Sequence, residues 1–193
     1  MAQENKKTIK KKFFDVEIPL TSARAKLYAA NQEELHNKVI TLDMTKNLKG
    51  KNVELKARVL LKEGKLTSDL VRMIVVPSSI RRVFRRGIDY VEDSFETSCK
   101  DALLRVKPFM LTRNKVSRNV RKEIRNAARK FIESYMTIKN TKEIFSELMT
   151  NKLQKNLSLK VKKIYPLAFC EIRWIEVIGE PKKKKEEKQE VSQ

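Results

Sequence analysis

A long amphipathic helix with one strongly basic flank is the feature that most constrains how this chain can fold. From about Val116 or Ser117 to Thr137, apolar side chains recur at steps of three and four, which is the spacing of a single helix face. The stripe consists of Val116, Val120, Ile124, Ala127, Ala128, Phe131 and Tyr135. Because such a stripe is stable only when it is covered, the rest of the chain has to supply a sheet or other helices that pack against it.

The flank beside the stripe carries a concentration of positive charge. It presents Arg118, Arg121, Lys122, Arg125 and Arg129 within an arc of about 100°. From Arg105 to Lys130 the sequence has ten lysines or arginines and one acid, Glu123. Arg113 and Lys115 precede the helix and extend the flank. The formal net charge of the chain is +20, and a surface of that charge attracts polyanions, so a polyanionic partner is the first hypothesis.

A second basic cluster is predicted in a short helix that Pro77-Ser78-Ser79 begins and Gly87 ends. The side opposite its apolar residues carries Arg81, Arg82, Arg85 and Arg86. Solvated helix faces usually mix charges of both signs, and no acid lies among these arginines. Phosphate contact is therefore the favoured interpretation, and a plain solvated face is the alternative.

Both ends of the chain are polar and highly charged. Residues 1–12 carry several lysines and little that could be buried, which predicts a disordered basic arm that becomes ordered on a partner. The arm lacks the apolar segment of a secretory signal. Residues 179–193 are rich in lysine and glutamate and are predicted to form a second disordered tail. A single domain is expected over residues 13–178.

Several strands are predicted between these tails. The clearest is Val53–Lys62, where apolar residues alternate with mainly polar ones, and a hairpin at Glu63-Gly64 joins it to a strand at 66–76. Further strands are predicted at 13–18, 39–44, 88–97, 102–111 and 167–178. More helices are expected after Asn140 or Thr141 and from Leu153 to near Tyr165-Pro166, whereas residues 20–37 give a weak signal with a short helix at 29–35. The pattern predicts an α+β fold.

The sequence offers little for catalysis. His36 is the only histidine and has no acidic or cysteine partner in a recognisable motif, and four glycines cannot form a phosphate-binding loop. Glu92, Asp93 and Glu96 cluster, which leaves an acid/base or metal site conceivable. Pairing of these acids with nearby arginines is the favoured interpretation. No enzyme activity, cofactor or metal is therefore predicted.

Cysteine usage and hydropathy indicate a cytoplasmic protein. Cys99 and Cys170 lie far apart and outside any zinc-ligand spacing, so they are expected to be reduced and buried. No apolar run approaches the length that crosses a bilayer. The basic amphipathic helix could lie on an anionic membrane, but its apolar stripe is needed by the neighbouring strands. RNA is favoured over a membrane for this reason.

Backbone and shape recognition is expected rather than base stacking. Basic side chains suit phosphate oxygens, whereas base-specific recognition usually adds exposed aromatic rings. The aromatic residues assigned mostly to the core are Phe13, Phe14, Phe84, Phe131, Phe145, Phe169 and Trp174.

Four groups of residues resemble a known family in order and spacing. The first is Arg105-Val106-Lys107-Pro108-Phe109 with Leu111-Thr112, Val116-Ser117 and Arg121-Lys122-x-Ile124-Arg125. The others are Lys12-Phe13-Phe14-Asp15-Val16 before Pro19, Arg85-Arg86-Gly87, and Lys163-Ile164-Tyr165-Pro166-Leu167. These groups are similar to the S-three-A-e, or eS-one, family of archaeal and eukaryotic small-subunit ribosomal proteins, and the resemblance spans about residues 11–177.

The resemblance implies a structural protein on the platform of the small ribosomal subunit, near the messenger exit. Its implied partners are small-subunit rRNA and neighbouring platform proteins, with messenger RNA at the exit as a further candidate. Family members have an antiparallel, barrel-like sheet flanked by helices, and the absence of the eukaryotic C-terminal extension implies the archaeal type. The chain departs from the family over 20–37 and lacks its glycine near Asp101, so the contacts of 20–37 stay open.

The resulting prediction is a non-enzymatic rRNA-binding protein in the cytoplasmic small subunit, without a cofactor, a membrane or a homo-oligomer. Its predicted phosphate contacts are Lys10, Lys11, Lys12, Arg81, Arg82, Arg85, Arg86, Arg113, Lys115, Arg118, Arg121, Lys122, Arg125 and Arg129. The alternatives are a free RNA-binding regulator or chaperone of translation and a basic enzyme that acts on nucleic acid.

Overall fold

The computed structural model describes residues 10–18, 20, 24–45, 48, 52–62 and 64–179. The tail from residue 180, the arm over 1–9, Pro19 and Glu63 lie outside the described residues. The described residues form an α+β fold of mostly antiparallel strands with helices, which confirms the predicted fold class. Contacts divide the chain into two compact units, Met1–Arg82 and Val83–Gln193. The single domain expected over 13–178 stays a prediction.

The described part of the first unit is built mainly from strands. They are β1 (Lys12–Glu17), β2 (Arg24–Ala29), β3 (Val39–Asp43), β4 (Val53–Lys62) and β5 (Lys65–Val75), and helix α1 (Pro77–Val83) follows. β1 pairs antiparallel with β2, β3 with β4 and β4 with β5, while Glu17 and Thr67 join β1 to β5 in parallel. The hairpin predicted from alternation is confirmed, and Gly64 adopts the positive φ of +76° at its turn.

Strand β2 corrects the prediction for residues 20–37. Its sequence alternates, with Ala25, Leu27 and Ala29 turned inward and charged or aromatic residues turned outward. The short helix predicted at 29–35 is limited to a 3-10 turn at Glu33–Leu35. Inward residues of β1 and β2 share a core cluster with Leu35 and with residues of β4 and β5. Burial against this cluster therefore selects a strand where the local sequence gave little signal.

The described part of the second unit combines four strands with three helices. In chain order they are β6 (Tyr90–Glu92), β7 (Phe95–Ser98), β8 (Leu103–Thr112), α2 (Arg118–Thr137), α3 (Thr141–Met149), α4 (Lys152–Val161) and β9 (Leu167–Gly179). Strand β8 pairs antiparallel with β9 on one side and with β6 and β7 on the other. Helix α3 and strand β9 follow the prediction closely, whereas α4 ends at Val161, before the predicted end near Tyr165-Pro166.

The strand predicted over 88–97 is two strands, and Pro108 lies opposite the break. β6 pairs with β8 from Leu111 to Phe109, and β7 pairs with it from Val106 onward, which leaves Lys107 and Pro108 between them. The register of β8 with β9 also shifts between these two residues. Because proline has no N–H to donate, an interruption at this point lets a central strand accommodate it.

Helix α2 packs against β6, β7 and α4 through one face. The buried positions on it are Ile124, Ala128, Ile132 and Met136. The predicted stripe is right for Ile124 and Ala128 but omits Ile132 and Met136. Phe131 and Tyr135, which the prediction placed in the stripe, are half-buried at its margin. Successive residues on a helix are rotated by about 100°, so Phe131 and Tyr135 lie close to the buried face. They were therefore assigned to the stripe in place of Ile132 and Met136.

Replacing Ile132 by alanine is expected to destabilise the fold far more than a change on the exposed side. The Ile132 side chain is fully buried, so Ile132→Ala should lower the free energy of unfolding by about 2–5 kcal/mol through lost burial and the cavity left behind. The control is Lys130→Ala at an exposed helical site, with an expected change within about 0.5 kcal/mol. Denaturant unfolding measures both, and equal effects would contradict the assigned face.

Candidate nucleic-acid interface

Polar contacts fix the start of α2 to the end of β8. The side chain of Ser117 caps the helix by accepting the N–H of Val120 at 3.4 Å. The Asp89 carboxylate accepts the N–H of Val116 at 2.9 Å. Asp89 is itself tied to the end of β8, because its N–H donates to the Thr112 hydroxyl at 3.1 Å and its carbonyl accepts the Thr112 N–H at 2.9 Å. These bonds set the direction in which α2 leaves the sheet.

A partly buried ionic network fixes the other end of α2 to α3. The Lys139 ammonium donates to the Glu147 carboxylate and, at 2.7 Å, to the Tyr135 hydroxyl, which donates to Glu147 at 2.8 Å. Burial acts to lower the pKa of Lys139, but the hydrogen bonds to Glu147 and Tyr135 outweigh it and the pKa is raised. Burial acts to raise the pKa of Glu147, yet the bonds to the same partners lower it. Both groups therefore stay charged.

The basic side chains of α2 and of the connection before it form a cationic flank. We define it as Arg113, Lys115, Arg118, Arg121, Lys122, Arg125 and Arg129. All are exposed except Arg121, which is half-buried. Within the described ranges, Arg113, Lys115, Arg118 and Lys122 have no acidic partner, so their charge is available to an external anion. The structure thus brings these predicted residues together on one helix and its lead-in.

Two members of the flank are held by contacts within the unit. The Nε of Arg125 donates to the carbonyl of Glu92 at 3.1 Å. The Nε of Arg129 lies 2.9 Å from the Glu133 carboxylate, which raises the pKa of Arg129, and its guanidinium carbon lies 5.3 Å from the ring centre of Phe95. These contacts restrict the two side chains, so they are less adaptable than the upstream residues.

The predicted pairing of acids with arginines is observed for Glu92 and Glu96. Glu92 lies 3.0 Å from Arg173 of β9, and Glu96 lies 2.9 Å from Arg105 of β8. These two acids are thus matched to strand arginines outside the cationic flank, whereas the carboxylate of Asp93 accepts the N–H of Ser94 at 2.9 Å. Within the described ranges, no group of three or more His, Cys, Asp or Glu side chains is placed to hold a metal ion.

The arginines predicted on one short helix divide between the helix and the chain after it. Helix α1 contains Arg81 and Arg82, whereas Arg85 and Arg86 lie beyond its end at Val83. The helix ends before Gly87 because Phe84 leaves it to pack on Tyr90 and Phe109, with ring centres 5.8 Å and 5.6 Å apart. All four arginines are exposed, but they do not share one helical face.

The core assignment of the aromatic residues is wrong in two instances. Phe145 is buried, and Phe14, Phe131, Phe169 and Trp174 are half-buried. Phe13 and Phe84, by contrast, are exposed.

Three of the predicted phosphate contacts lie near the start of the chain. Lys10, Lys11 and Lys12 are all exposed. Tyr28 is a further exposed aromatic residue that sequence reasoning missed, because it lies on the unpredicted strand β2. The alternation of Ala25, Leu27 and Ala29 was the signal that could have found it.

The two cysteines are free thiols. Cys99 is buried and accepts the N–H of Ala102, and Cys170 is half-buried. Burial, with a smaller contribution from Glu171, raises the pKa of Cys170 to about 12, so its thiol stays protonated. In the part of the chain that the structure describes, none of the helices has the length and apolarity needed to span a bilayer.

The fold and this surface define a strongly basic α+β protein that carries an exposed cationic helix. Comparison with known proteins identifies the family: the chain belongs to the Ribosomal S3Ae family, whose sequence model matches residues 2–181. A curated relative, the small ribosomal subunit protein eS1 of Nanoarchaeum equitans (strain Kin4-M), is 30% identical over 97 residues. The match covers 50% of this chain and 49% of the relative, so the chain spans about half of that protein. The resemblance found in the sequence motifs is confirmed at the level of the family.

Glu147→Gln should destabilise the protein in a pH-dependent way. Removing the charge that pairs with Lys139 should lower the free energy of unfolding by about 1.5–3 kcal/mol at neutral pH. Because folding lowers the pKa of Glu147, its contribution is complete above the usual value of 4.5 and is lost as pH falls through the lowered pKa. Denaturant unfolding of both proteins across this pH range measures the difference. A difference that stays constant into strong acid would contradict the network.

Proposed function

We propose that this chain is a structural, non-enzymatic protein of the small ribosomal subunit that binds rRNA through the cationic flank. The observation that carries the proposal is the set of exposed cations at Arg113, Lys115, Arg118 and Lys122, which have no acidic partner among the described residues and lie on a segment whose other side is buried. Membership of the Ribosomal S3Ae family supports the ribosomal assignment. A relative that bears the name of a small-subunit ribosomal protein supports the choice of subunit.

Phosphate binding follows from the chemistry of the flank. Guanidinium and ammonium groups donate charge-assisted hydrogen bonds to phosphate oxygens, and each phosphate they neutralise releases counterions. A helix that is fixed at both ends and along one face presents these groups with little conformational freedom to lose. The flank suits the repeated phosphates of an RNA backbone better than a small anion.

The remaining predicted contacts are further candidates for RNA binding. Lys10, Lys11 and Lys12 and the arginines around α1 are exposed and supply further phosphate contacts in this proposal. From the family resemblance, we place the chain on the platform near the messenger exit in the cytoplasmic ribosome. Its partners there are rRNA, neighbouring platform proteins and, at the exit, messenger RNA. No cofactor is required for this role.

Charge reversal on the flank should weaken RNA binding and reduce its salt dependence. The test variant combines Arg113→Glu, Arg118→Glu and Lys122→Glu, which avoids the half-buried Arg121 and the internally bonded Arg125. With small-subunit rRNA as the probe, the slope of log affinity against log salt should fall by about 2–3, since each phosphate contact contributes about 0.7–0.9. Filter binding at several salt concentrations measures the slope, and circular dichroism verifies the fold.

The matched control changes the same amount of charge elsewhere in the second unit. Lys155, Lys160 and Lys163 are exposed, and their replacement by glutamate makes an equal change in net charge. We expect a clearly smaller effect on rRNA affinity and salt slope than the flank variant produces. Equal losses in both variants would show that total charge governs binding and would contradict a localised interface.

A further inference from the structure

Two aromatic rings lie side by side on the outer face of the β1–β2 pair. Phe13 and Tyr28 are directly opposite each other in the register, and their ring centres are 4.9 Å apart with a tilt of 45°. The residues are 71% and 57% exposed, respectively. Large apolar side chains that are exposed together mark interaction sites more often than isolated ones do. The pair lies in the first unit, outside the cationic flank of α2.

These two rings do not pack in the core of the first unit. Along both strands the alternate residues face inward, and Val16 and Ala29 are buried in the core cluster with Phe14 and Leu27 packed around them. Phe13 and Tyr28 occupy the opposite, solvent-facing side. Their mutual contact covers only part of each ring, so the rest of the ring surface is exposed and available to a partner.

The charge around the aromatic pair is positive. The Lys11 ammonium lies 5.9 Å from the centre of the Tyr28 ring, and Lys10 and Lys12 beside it are exposed. The acids of β1 lie opposite cations of β2. Asp15 is opposite Lys26, and Glu17 is opposite Arg24, whose guanidinium lies 3.9 Å from the Glu17 carboxylate. The lysines beside Phe13 therefore leave an excess of positive charge near the two rings, which suits a phosphate group.

We propose that Phe13 and Tyr28 form a stacking site for an unpaired base of single-stranded RNA, with Lys11 and its neighbours on the adjoining phosphates. Aromatic faces stack on any base, and flanking cations bind the backbone, which is how proteins hold single strands with little sequence preference. Because the rings are tilted, one base lies flat on one ring while the other ring contacts its edge. The inference rests on the proposed function and adds an unpaired nucleotide to the phosphate contacts of the flank.

The test replaces both rings while it keeps apolar, strand-favouring side chains. Phe13→Ile with Tyr28→Ile should lower the affinity of the full-length chain for oligouridine about tenfold, with the salt slope unchanged, since stacking involves no counterion release. Affinity for a duplex RNA of the same length should be unchanged. Phe13→Tyr should retain binding, because it keeps an aromatic face.

The control removes comparable exposed apolar surface elsewhere. Ile138 and Leu159 are 69% and 64% exposed, and Ile138→Ala with Leu159→Ala should leave oligouridine affinity unchanged. In parallel, oligouridine that contains 5-iodouridine is irradiated with the wild-type chain, and the crosslinked residue is mapped by mass spectrometry. We expect the crosslink at Phe13 or Tyr28.

Each outcome separates this site from the proposed function. If the wild-type chain binds rRNA and the flank variant behaves as described, but the isoleucine variant binds oligouridine normally and no crosslink forms at the pair, the stacking site is overturned alone. If the isoleucine variant keeps its RNA affinity but no longer assembles into small subunits, the pair contacts a protein, and the stacking site is again overturned. Failure of the wild-type chain to bind rRNA would overturn the proposed function itself.

Discussion

The burial of one face of α2 is the physical constraint on which the candidate RNA interface depends. Ile124, Ala128, Ile132 and Met136 lie on this face, which packs against β6, β7 and α4. Once the face is covered, the rotation of the helix is fixed and the basic side chains beside it must point to solvent. The Asp89 carboxylate, which accepts the N–H of Val116, holds the start of the helix, and the Lys139–Glu147 pair holds its end.

Electrostatic pairing among the described residues of the second unit leaves part of the charge of the flank uncompensated. Glu92 and Glu96 are matched to Arg173 and Arg105 on the strands. Arg118 and Lys122, one helical turn apart, have no such partner among the described residues. Repulsion between like charges on one helix lowers stability by at most about a few tenths of a kcal/mol per pair. Burial of the apolar face stabilises the helix by more than this, so the helix folds despite the repulsion. This charge does not add to stability, and in the proposed function it serves rRNA binding.

Periodic segments were predicted well because burial and local pattern agree in them. The bounds of β4, Val53–Lys62, follow from alternation, and α2 begins within two residues of the start predicted at Val116 or Ser117. β2 was missed because its alanine and lysine are poor strand formers, and only its packing against the core selects that conformation.

Other errors came from contacts that lie far apart in sequence. The break opposite Pro108 depends on strand pairing, and the early end of α1 depends on packing of Phe84 against Phe109. Phe13 and Phe14 are adjacent in one strand, so one of them had to face solvent, and only the register shows which. The flank residues could be found from the sequence because their charge recurs at helical spacing. The aromatic pair could not, because Tyr28 lies on β2, which was not predicted.

Retention in the small subunit tests the central claim most directly. Ribosomal small subunits that carry the tagged chain are sedimented through a series of increasing salt concentrations, and the amount of chain per subunit is measured. A structural component held by many phosphate contacts should remain stoichiometric through high salt, and the flank variant should be released earlier in the series. Recovery of the wild-type chain in the free fraction at moderate salt would contradict the account.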